Sequence, residues 1–136
     1  MRILALDVGD VRIGLALSDA LKITAQGLET LTRSELNKDI NHIVNVIEKN
    51  EVSELVVGLP KNMNGTLGPQ GEKVKQFVEE FLKVKDIKVS YIDERLTTVI
   101  AEKTLISGDV SRKKRKQVVD KIAATIILQS YLERIN

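Results

Sequence analysis

The chain of 136 residues contains no cysteine. This absence excludes disulfide bonds, thiolate metal sites and a cysteine nucleophile, and nothing in the sequence indicates an oxidising compartment. The only histidine, His42, lies among polar neighbours and off the apolar side of a predicted helix. We therefore expect His42 to be a solvated surface residue, which leaves carboxylates as the candidate metal ligands.

Long apolar segments are also missing. No run approaches the roughly 20 residues of a membrane helix, and the N-terminus enters a predicted strand without a signal-peptide pattern. We therefore expect no membrane association and a cytoplasmic location. The sequence has no low-complexity segment, internal repeat or interdomain linker, and 43% of its residues are hydrophobic. Residues 1–136 are accordingly predicted to form a single domain.

The positive charge is concentrated in one place. A formal net charge of +2 is too small to indicate a nucleic-acid partner by itself. Five consecutive basic residues, however, fall in the first turn of a predicted helix: Arg112, Lys113, Lys114, Arg115 and Lys116. Positive charge opposes the helix dipole there, so helix stability does not favour this run. We predict that it binds the phosphate backbone of a nucleic acid.

The order of predicted elements indicates an α/β fold. Apolar runs, turn residues and helical spacing predict strands at 2–6, 13–18, 22–33, 54–60 and 87–92, and helices at 34–50, 69–83, from Thr97 or Thr98 to Gly108, and from about Ser111 onward. The first two strands form a hairpin, whereas the later strands are reached through helices. This pattern predicts an antiparallel start followed by parallel crossovers.

Three acidic positions lie at the end of an apolar strand or inside an apolar helix. Asp7 ends the first strand, Asp93 and Glu94 end the last strand, and Asp120 lies in the final helix. Alternation along the strand leaves open whether Asp93 or Glu94 approaches Asp7. Carboxylates suit Mg²⁺, or Mn²⁺ as a substitute, and such a site can hydrolyse phosphodiester bonds. The structural alternative is that each acid only pairs with a nearby lysine or arginine.

A polar, glycine-containing segment from Lys61 to Gly68 precedes the predicted helix that starts at Pro69. A loop at a helix N-terminus can hold a phosphate through its backbone N–H groups, although the loop alone favours a simple surface turn. Arg95, directly after the acidic pair, can orient a carboxylate or contact phosphate.

Four motifs in order along the chain resemble the YqgF/RuvX family: DVGD with RIG and SD at residues 7–19, GLPKNMNG at 58–65, DERLTT at 93–98, and DKIAA with ILQ at 120–129. The resemblance implies an RNase H-like fold, with a five-stranded mixed sheet flanked by helices, and a bacterial cytoplasmic nuclease. It assigns the catalytic, metal-binding acids to Asp7, Glu94 and Asp120. The substrate-binding candidates are Arg12, Lys61, Asn62, Arg95, Arg112, Lys113, Lys114, Arg115 and Lys116.

The sequence departs from the wider RNase H-like pattern at one point. An acid is expected at the end of the strand beside the first one, but this strand ends in Leu59, Pro60 and Lys61. We therefore expect a metal site that is either looser or complete only when substrate phosphates supply ligands.

Family members are described as nucleases maturing the 5′ end of precursor 16S rRNA or as Holliday junction resolvase homologues. We favour structured RNA as the substrate over four-way DNA. The apolar stripes of the helices are needed to cover the sheet, which predicts a monomer. A non-catalytic nucleic-acid-binding assembly factor and an actin-like ATP-binding domain are the alternative interpretations; the second normally needs two such domains.

Overall fold

The computed structural model describes residues 1–93 and 112–136, with side chains described for 1–93 and 122–136. Within these residues there are five strands and three helices. They are β1 (Arg2–Val8), β2 (Arg12–Ser18), β3 (Ala25–Thr32), α1 (Leu36–Lys49), β4 (Val52–Leu59), α2 (Pro69–Val84), β5 (Lys88–Asp93) and α3 (Arg112–Ile135).

The strands form one mixed sheet in the order β3-β2-β1-β4-β5. β1 pairs with β2 and β2 with β3 in antiparallel fashion, whereas β1 with β4 and β4 with β5 are parallel. The predicted hairpin and parallel crossovers are therefore confirmed. Because β1, β4 and β5 run in the same direction, their C-terminal ends lie together at one end of the sheet, here called the carboxyl edge. The opposite end is the amino edge.

Each face of the sheet has its own apolar core. Leu4, Leu6 and Val8 of β1 pack with α1 and α2, whereas Ile3 and Ala5 pack with α3. This alternation is the period of two expected for a strand covered on both faces. It explains why the strand reads as a continuous apolar run in the sequence.

The predicted element boundaries agree closely with the structure. β4 begins two residues before the predicted Glu54. The helix predicted at 34–50 begins at Leu36, and its cap residue is Glu35, which makes no side-chain capping bond. The Ser34 N–H instead donates to Asp39 Oδ1 at 3.1 Å, so a carboxylate inside the helix reaches back to the segment before it. The predicted helix ending at Gly108 lies outside the described residues.

In the part of the chain that the structure describes, no helix combines the length and the apolar character needed to cross a bilayer.

Candidate active site

Asp7 lies on the α3 face of the sheet, near the carboxyl edge. Ile3 and Ala5, which precede it at alternating positions in β1, pack against residues of α3. The Asp7 residue is only partly buried, whereas Leu6 before it and Val8 after it are buried. A carboxylate that ends an apolar strand thus remains partly accessible to solvent.

The residues beside Asp7 on the neighbouring strands are both glycines. Asp7 pairs with Gly14 of β2, and Leu6 pairs with Val57 of β4, so Gly58 comes next beside Asp7. Neither neighbour brings a side chain to the α3 face of the sheet. Among the described residues, the neighbouring strand positions therefore place no side chain beside the carboxylate.

Asp93 lies on the opposite face. Val89 and Tyr91, its alternating neighbours in β5, pack with the α1 and α2 core, whereas Ile92 packs with the α3 core. Burial, with a smaller contribution from Glu79, raises the pKa of the Tyr91 phenol, so this side chain stays neutral near neutral pH. The structure thus directs Asp93 away from the face that carries Asp7.

Arg12 begins β2 on the same face as Gly14, and a tight turn separates it from β1. The Gly9 N–H donates to the Arg12 carbonyl at 2.9 Å. A Cβ atom on Gly9 would lie 2.8 Å from that carbonyl oxygen, which only glycine avoids. Arg12 is therefore held at the carboxyl edge, on the same face as Asp7.

The loop containing Lys61 and Asn62 follows β4 at this edge and is exposed. It is closed by its own hydrogen bonds: the Asn62 N–H donates to the Thr66 carbonyl at 2.9 Å, and the Thr66 N–H donates to Asn64 Oδ1 at 3.1 Å. A Cβ atom on Gly68 would lie 2.7 Å from Asn62 Oδ1, so the loop packs closely against the start of α2. Lys61 and Asn62 are thus presented by an ordered loop.

The remaining predicted site residues lie either outside the described residues or in the part of α3 whose side chains are not described. Glu94 and Arg95 lie outside the described residues. The basic residues Arg112, Lys113, Lys114, Arg115 and Lys116 occupy the first positions of α3, as predicted, and Asp120 lies further along the same helix. Position 120 is one helical turn before Ala124, which is buried against the sheet.

Among the described side chains, no cluster of three or more histidine, cysteine, aspartate or glutamate residues could hold a metal. Asp7 is the one predicted metal ligand whose side chain is described. Its partly exposed carboxylate, beside two positions without side chains, is the type of oxygen donor that a divalent cation such as Mg²⁺ prefers. The described portion of the site therefore fits the ion that the fold implies.

A second carboxylate on the α3 face was not anticipated from the sequence. Glu54 lies near the amino edge and is only 7% exposed. It accepts hydrogen bonds from the Tyr131 hydroxyl and, at 3.2 Å, from Ser90 Oγ, and Lys88 Nζ lies 3.7 Å away. Tyr131 is 77 residues away along the chain, so no local pattern indicates this cluster.

Two further polar contacts differ from expectation or were missed. His42 is about half exposed, and its Nε2 pairs with Glu29 Oε1 at 2.5 Å, so it is more than a solvated residue. Arg33, which directly follows β3, pairs with Asp39, and that aspartate is only 2% exposed. A charged residue after a strand and an acid in the first turn of a helix both look like surface residues in the sequence.

Comparison with known proteins identifies the family. Proteins named "Putative pre-16S rRNA nuclease" from Carboxydothermus hydrogenoformans and Desulforamulus reducens are 56% and 55% identical to this chain. The alignments cover 97% and 98% of this chain and 96% and 97% of the relatives. A sequence profile of RuvX, described as Holliday junction resolvase, matches residues 1–134. The chain belongs to the RuvX family. RuvX membership makes it a nuclease, a hydrolase acting on phosphodiester bonds.

Solved structures confirm the RNase H-like fold. Thermus thermophilus RuvC in complex with a Holliday junction substrate aligns with a TM-score of 0.59 at 14% identity, covering 100% of this chain and 96% of that protein. A fowlpox virus resolvase bound to Holliday junction DNA aligns with a TM-score of 0.55 at 16% identity, covering 99% of both chains. At these identities the similarity concerns the fold, which agrees with the predicted five-stranded mixed sheet flanked by helices.

Proposed function

We propose that this RuvX protein is a single-domain, divalent-metal-dependent cytoplasmic nuclease that processes the 5′ end of precursor 16S rRNA. Asp7, Glu94 and Asp120 are its proposed catalytic, metal-binding acids. Arg12, Lys61, Asn62 and Arg95 contact the substrate near the cut, and the basic residues 112–116 bind the phosphate backbone.

The observation that carries this proposal is the environment of Asp7. The carboxylate is partly exposed on the α3 face, beside Gly14 and close to Gly58. Arg12 lies on the same face at the same edge of the sheet. A partly exposed acid beside two glycine positions, with a cationic residue on the same face, suits binding of a metal and a phosphate.

The direction of α3 supports a role for Asp120. The C-terminus of α3 lies at the amino edge, where Asn136 Nδ2 donates to the Lys22 carbonyl at 2.8 Å and Tyr131 contacts Glu54. Position 120 is about 16 Å closer to the start of the helix than Tyr131, at about 1.5 Å per residue. Asp7 lies about 13 Å beyond Ile3, which pairs with Glu54. Both distances are measured from the position of Glu54 towards the carboxyl edge, one along α3 and one along β1. Because they are similar, they favour Asp120 acting beside Asp7.

The facing of β5 supports Glu94 as the third acid. Asp93 follows the alternation of Val89 and Tyr91 and so belongs to the α1 and α2 face. The next position in strict alternation belongs to the face of Ile92, which is the Asp7 face. This reasoning favours Glu94 over Asp93.

The proposed ion is Mg²⁺, or Mn²⁺ as a substitute. When bound, it would neutralise phosphate charge and lower the pKa of a coordinated water. The contribution of Asp7, Glu94 and Asp120 is to hold that ion, and the contribution of Arg12 is to orient a phosphate through a charge-assisted hydrogen bond. Lys61 and Asn62, on a preformed loop, would limit movement of the strand being cut.

We favour RNA as the substrate for two reasons. Relatives that align with this chain over nearly their whole length are named "Putative pre-16S rRNA nuclease". In addition, the buried apolar residues of α1, α2 and α3 within the described residues face the sheet, which favours a monomer. A monomer suits a single cut in a strand held by RNA shape, whereas junction resolution needs two matched cuts, which a symmetric dimer supplies.

The test is a direct competition with Mg²⁺ or Mn²⁺. Equal amounts of a precursor fragment carrying the 5′ extension and a synthetic mobile four-way DNA junction are given to the enzyme, and its mass in solution is measured. We expect a single cut in the RNA by a monomer and none by Asp7→Asn. Symmetric nicking of the junction by a stable dimer, with the RNA intact, would instead support the resolvase function that the family description names. Binding without cleavage of either substrate would support an assembly factor.

A further inference from the structure

Arg33 occupies a position that links four separate elements. It follows β3, and its backbone N–H donates to the Val11 carbonyl at 2.8 Å. Its guanidinium Nη1 donates to the Gly9 carbonyl at 2.9 Å. Its Nε lies 3.5 Å from Asp39 Oδ2 in α1, and the guanidinium lies 5.2 Å from the centre of the Phe77 ring in α2.

The Gly9 carbonyl belongs to the turn that directly follows Asp7 and Val8. Within this turn the Gly9 N–H is bonded to the Arg12 carbonyl. Arg33 thus adds a donor from outside the turn, so Gly9, two residues after Asp7, is held at both its N–H and its C=O, which belong to consecutive peptide groups. Small rotations of the backbone at Gly9 would change the direction of Asp7 and the position of Arg12 together.

Asp39 keeps Arg33 in place. Its carboxylate is 2% exposed and also accepts the Ser34 N–H at 3.1 Å and Ser34 Oγ at 3.4 Å. A buried carboxylate requires a cation, and the guanidinium meets this need as an ion pair with Asp39 while its Nη1 donates to the Gly9 carbonyl. Lysine has a single ammonium group and cannot reproduce this arrangement.

We propose that Arg33 is a positioning residue of the nuclease: by holding the Gly9 carbonyl, it fixes the Asp7 carboxylate and Arg12 in the orientation that catalysis requires. This inference rests on the proposed role of Asp7. It assigns a catalytic consequence to a residue on the opposite face of the sheet, whose partners Asp39 and Phe77 belong to the α1 and α2 side.

A purely structural ion pair and a positioning residue predict different results. Arg33→Met leaves Asp39 buried without its cation, so both ideas predict lower stability. The double variant Arg33→Met, Asp39→Asn removes that unpaired charge, and its stability should recover in part. The Gly9 carbonyl still lacks its donor in the double variant. A structural role therefore predicts recovery of cleavage, whereas a positioning role predicts that cleavage stays slow.

The experiment measures kcat and KM for the precursor RNA fragment well below the melting temperature of each variant. We expect kcat of the double variant to fall about 10- to 100-fold with KM nearly unchanged, the size of effect produced by small misplacements of catalytic groups. Amide hydrogen exchange at Gly9 should be faster than in the wild type. Arg33→Lys should not restore kcat.

Arg2→Met is the matched control. Arg2 is also a partly buried arginine that donates to a backbone carbonyl, that of Asn50 at 3.4 Å, but it lies at the amino edge. Its kcat should equal that of the wild type. If the double variant cleaves at the wild-type rate, the positioning role is wrong while the nuclease function stands. If the wild type itself cleaves neither RNA nor DNA with either metal, the proposed function fails, and the role of Arg33 fails with it.

Discussion

The two edges of the sheet present carboxylates on the same face in opposite environments. At the amino edge, Glu54 is almost fully buried, and the Tyr131 hydroxyl and Ser90 Oγ both donate to its Oε2. At the carboxyl edge, Asp7 is partly exposed and lies beside positions without side chains. At the amino edge, hydrogen bonds from other residues of the protein offset the cost of burying the Glu54 carboxylate. The site at the carboxyl edge is partly exposed, and this difference is the basis of our proposal that Asp7 is a functional acid and Glu54 a structural one.

The strongest test of this difference is Asp7→Asn. The substitution removes a charge that repels the other proposed acids when no metal is bound, so thermal stability should be equal or higher. Cleavage should fall by at least about 10³-fold, because a metal-holding acid is lost. Adding Mn²⁺ should raise the melting temperature of the wild type but not of the variant. A purified Asp7→Asn protein that cuts at the wild-type rate would show that the site is elsewhere.

The second test concerns nucleic-acid binding by the basic residues 112–116 at the start of α3. Replacing three of the five residues at 112–116 with glutamine removes about three phosphate contacts, each contributing about 0.7 to 0.9 to the slope of log affinity against log salt. We expect the slope to flatten by roughly two. Replacing three lysines near the amino edge (Lys22, Lys49 and Lys88) is the control and should leave it unchanged. An equal slope for both variants would show that the nucleic acid does not bind to the basic residues of α3.

Glu54→Gln tests the acid at the amino edge. In contrast to Asp7→Asn, it should lower stability and leave cleavage unchanged. The amide can still accept one hydrogen bond, but the buried cluster loses its charge-assisted contacts, so the free energy of unfolding should fall by about 1 to 3 kcal/mol. Urea denaturation measures this change. Cleavage below the melting temperature should stay at the wild-type rate, and a large loss of kcat would mean that the two edges do not differ in function.

The smallest effect concerns the turn after β2, also at the amino edge. The backbone N–H groups of Thr24 and Ile23 donate to Asp19 and lower the pKa of its carboxyl below 3.8. The resulting stabilisation is present above the unfolded pKa and is lost as the pH falls through the lower folded value. Asp19→Asn should therefore be slightly less stable than the wild type near neutral pH, with the gap closing in acid. A gap that widens in acid would contradict this assignment.

Local sequence patterns were sufficient for the elements but not for the contacts between them. Apolar runs predicted the strands, and Pro69 marked the start of α2. Alternation alone did not say which face of the sheet Asp93 occupies; the packing of Ile92 with the α3 core, and of Val89 and Tyr91 with the other core, places Asp93 on the α1 and α2 face. The sequence signal at Asp7 was clear because a charge ended an apolar run.

The contacts of Arg33 and Glu54 could not be predicted, for a physical reason. Arg33 reaches Gly9 because β3 lies beside β2, and 24 residues separate the two. Glu54 is reached by Tyr131, from the C-terminal part of α3, which donates a hydrogen bond to it. In both cases the partner is chosen by tertiary packing, which leaves no periodic mark in the sequence around the charged residue.

The ordered loop from Lys61 to Gly68 has a consequence for how substrate recognition responds to conditions. Hydrogen bonds among Asn62, Asn64 and Thr66 fix the shape of the loop before any substrate binds. Substrate binding therefore costs the loop little conformational freedom. Contacts from the neutral amides and hydroxyls of Asn62, Asn64 and Thr66 release no counterions, unlike those from Lys61 and from the basic run. Affinity should therefore fall with rising salt, while the choice of cleavage position, which we attribute to this loop, should stay constant.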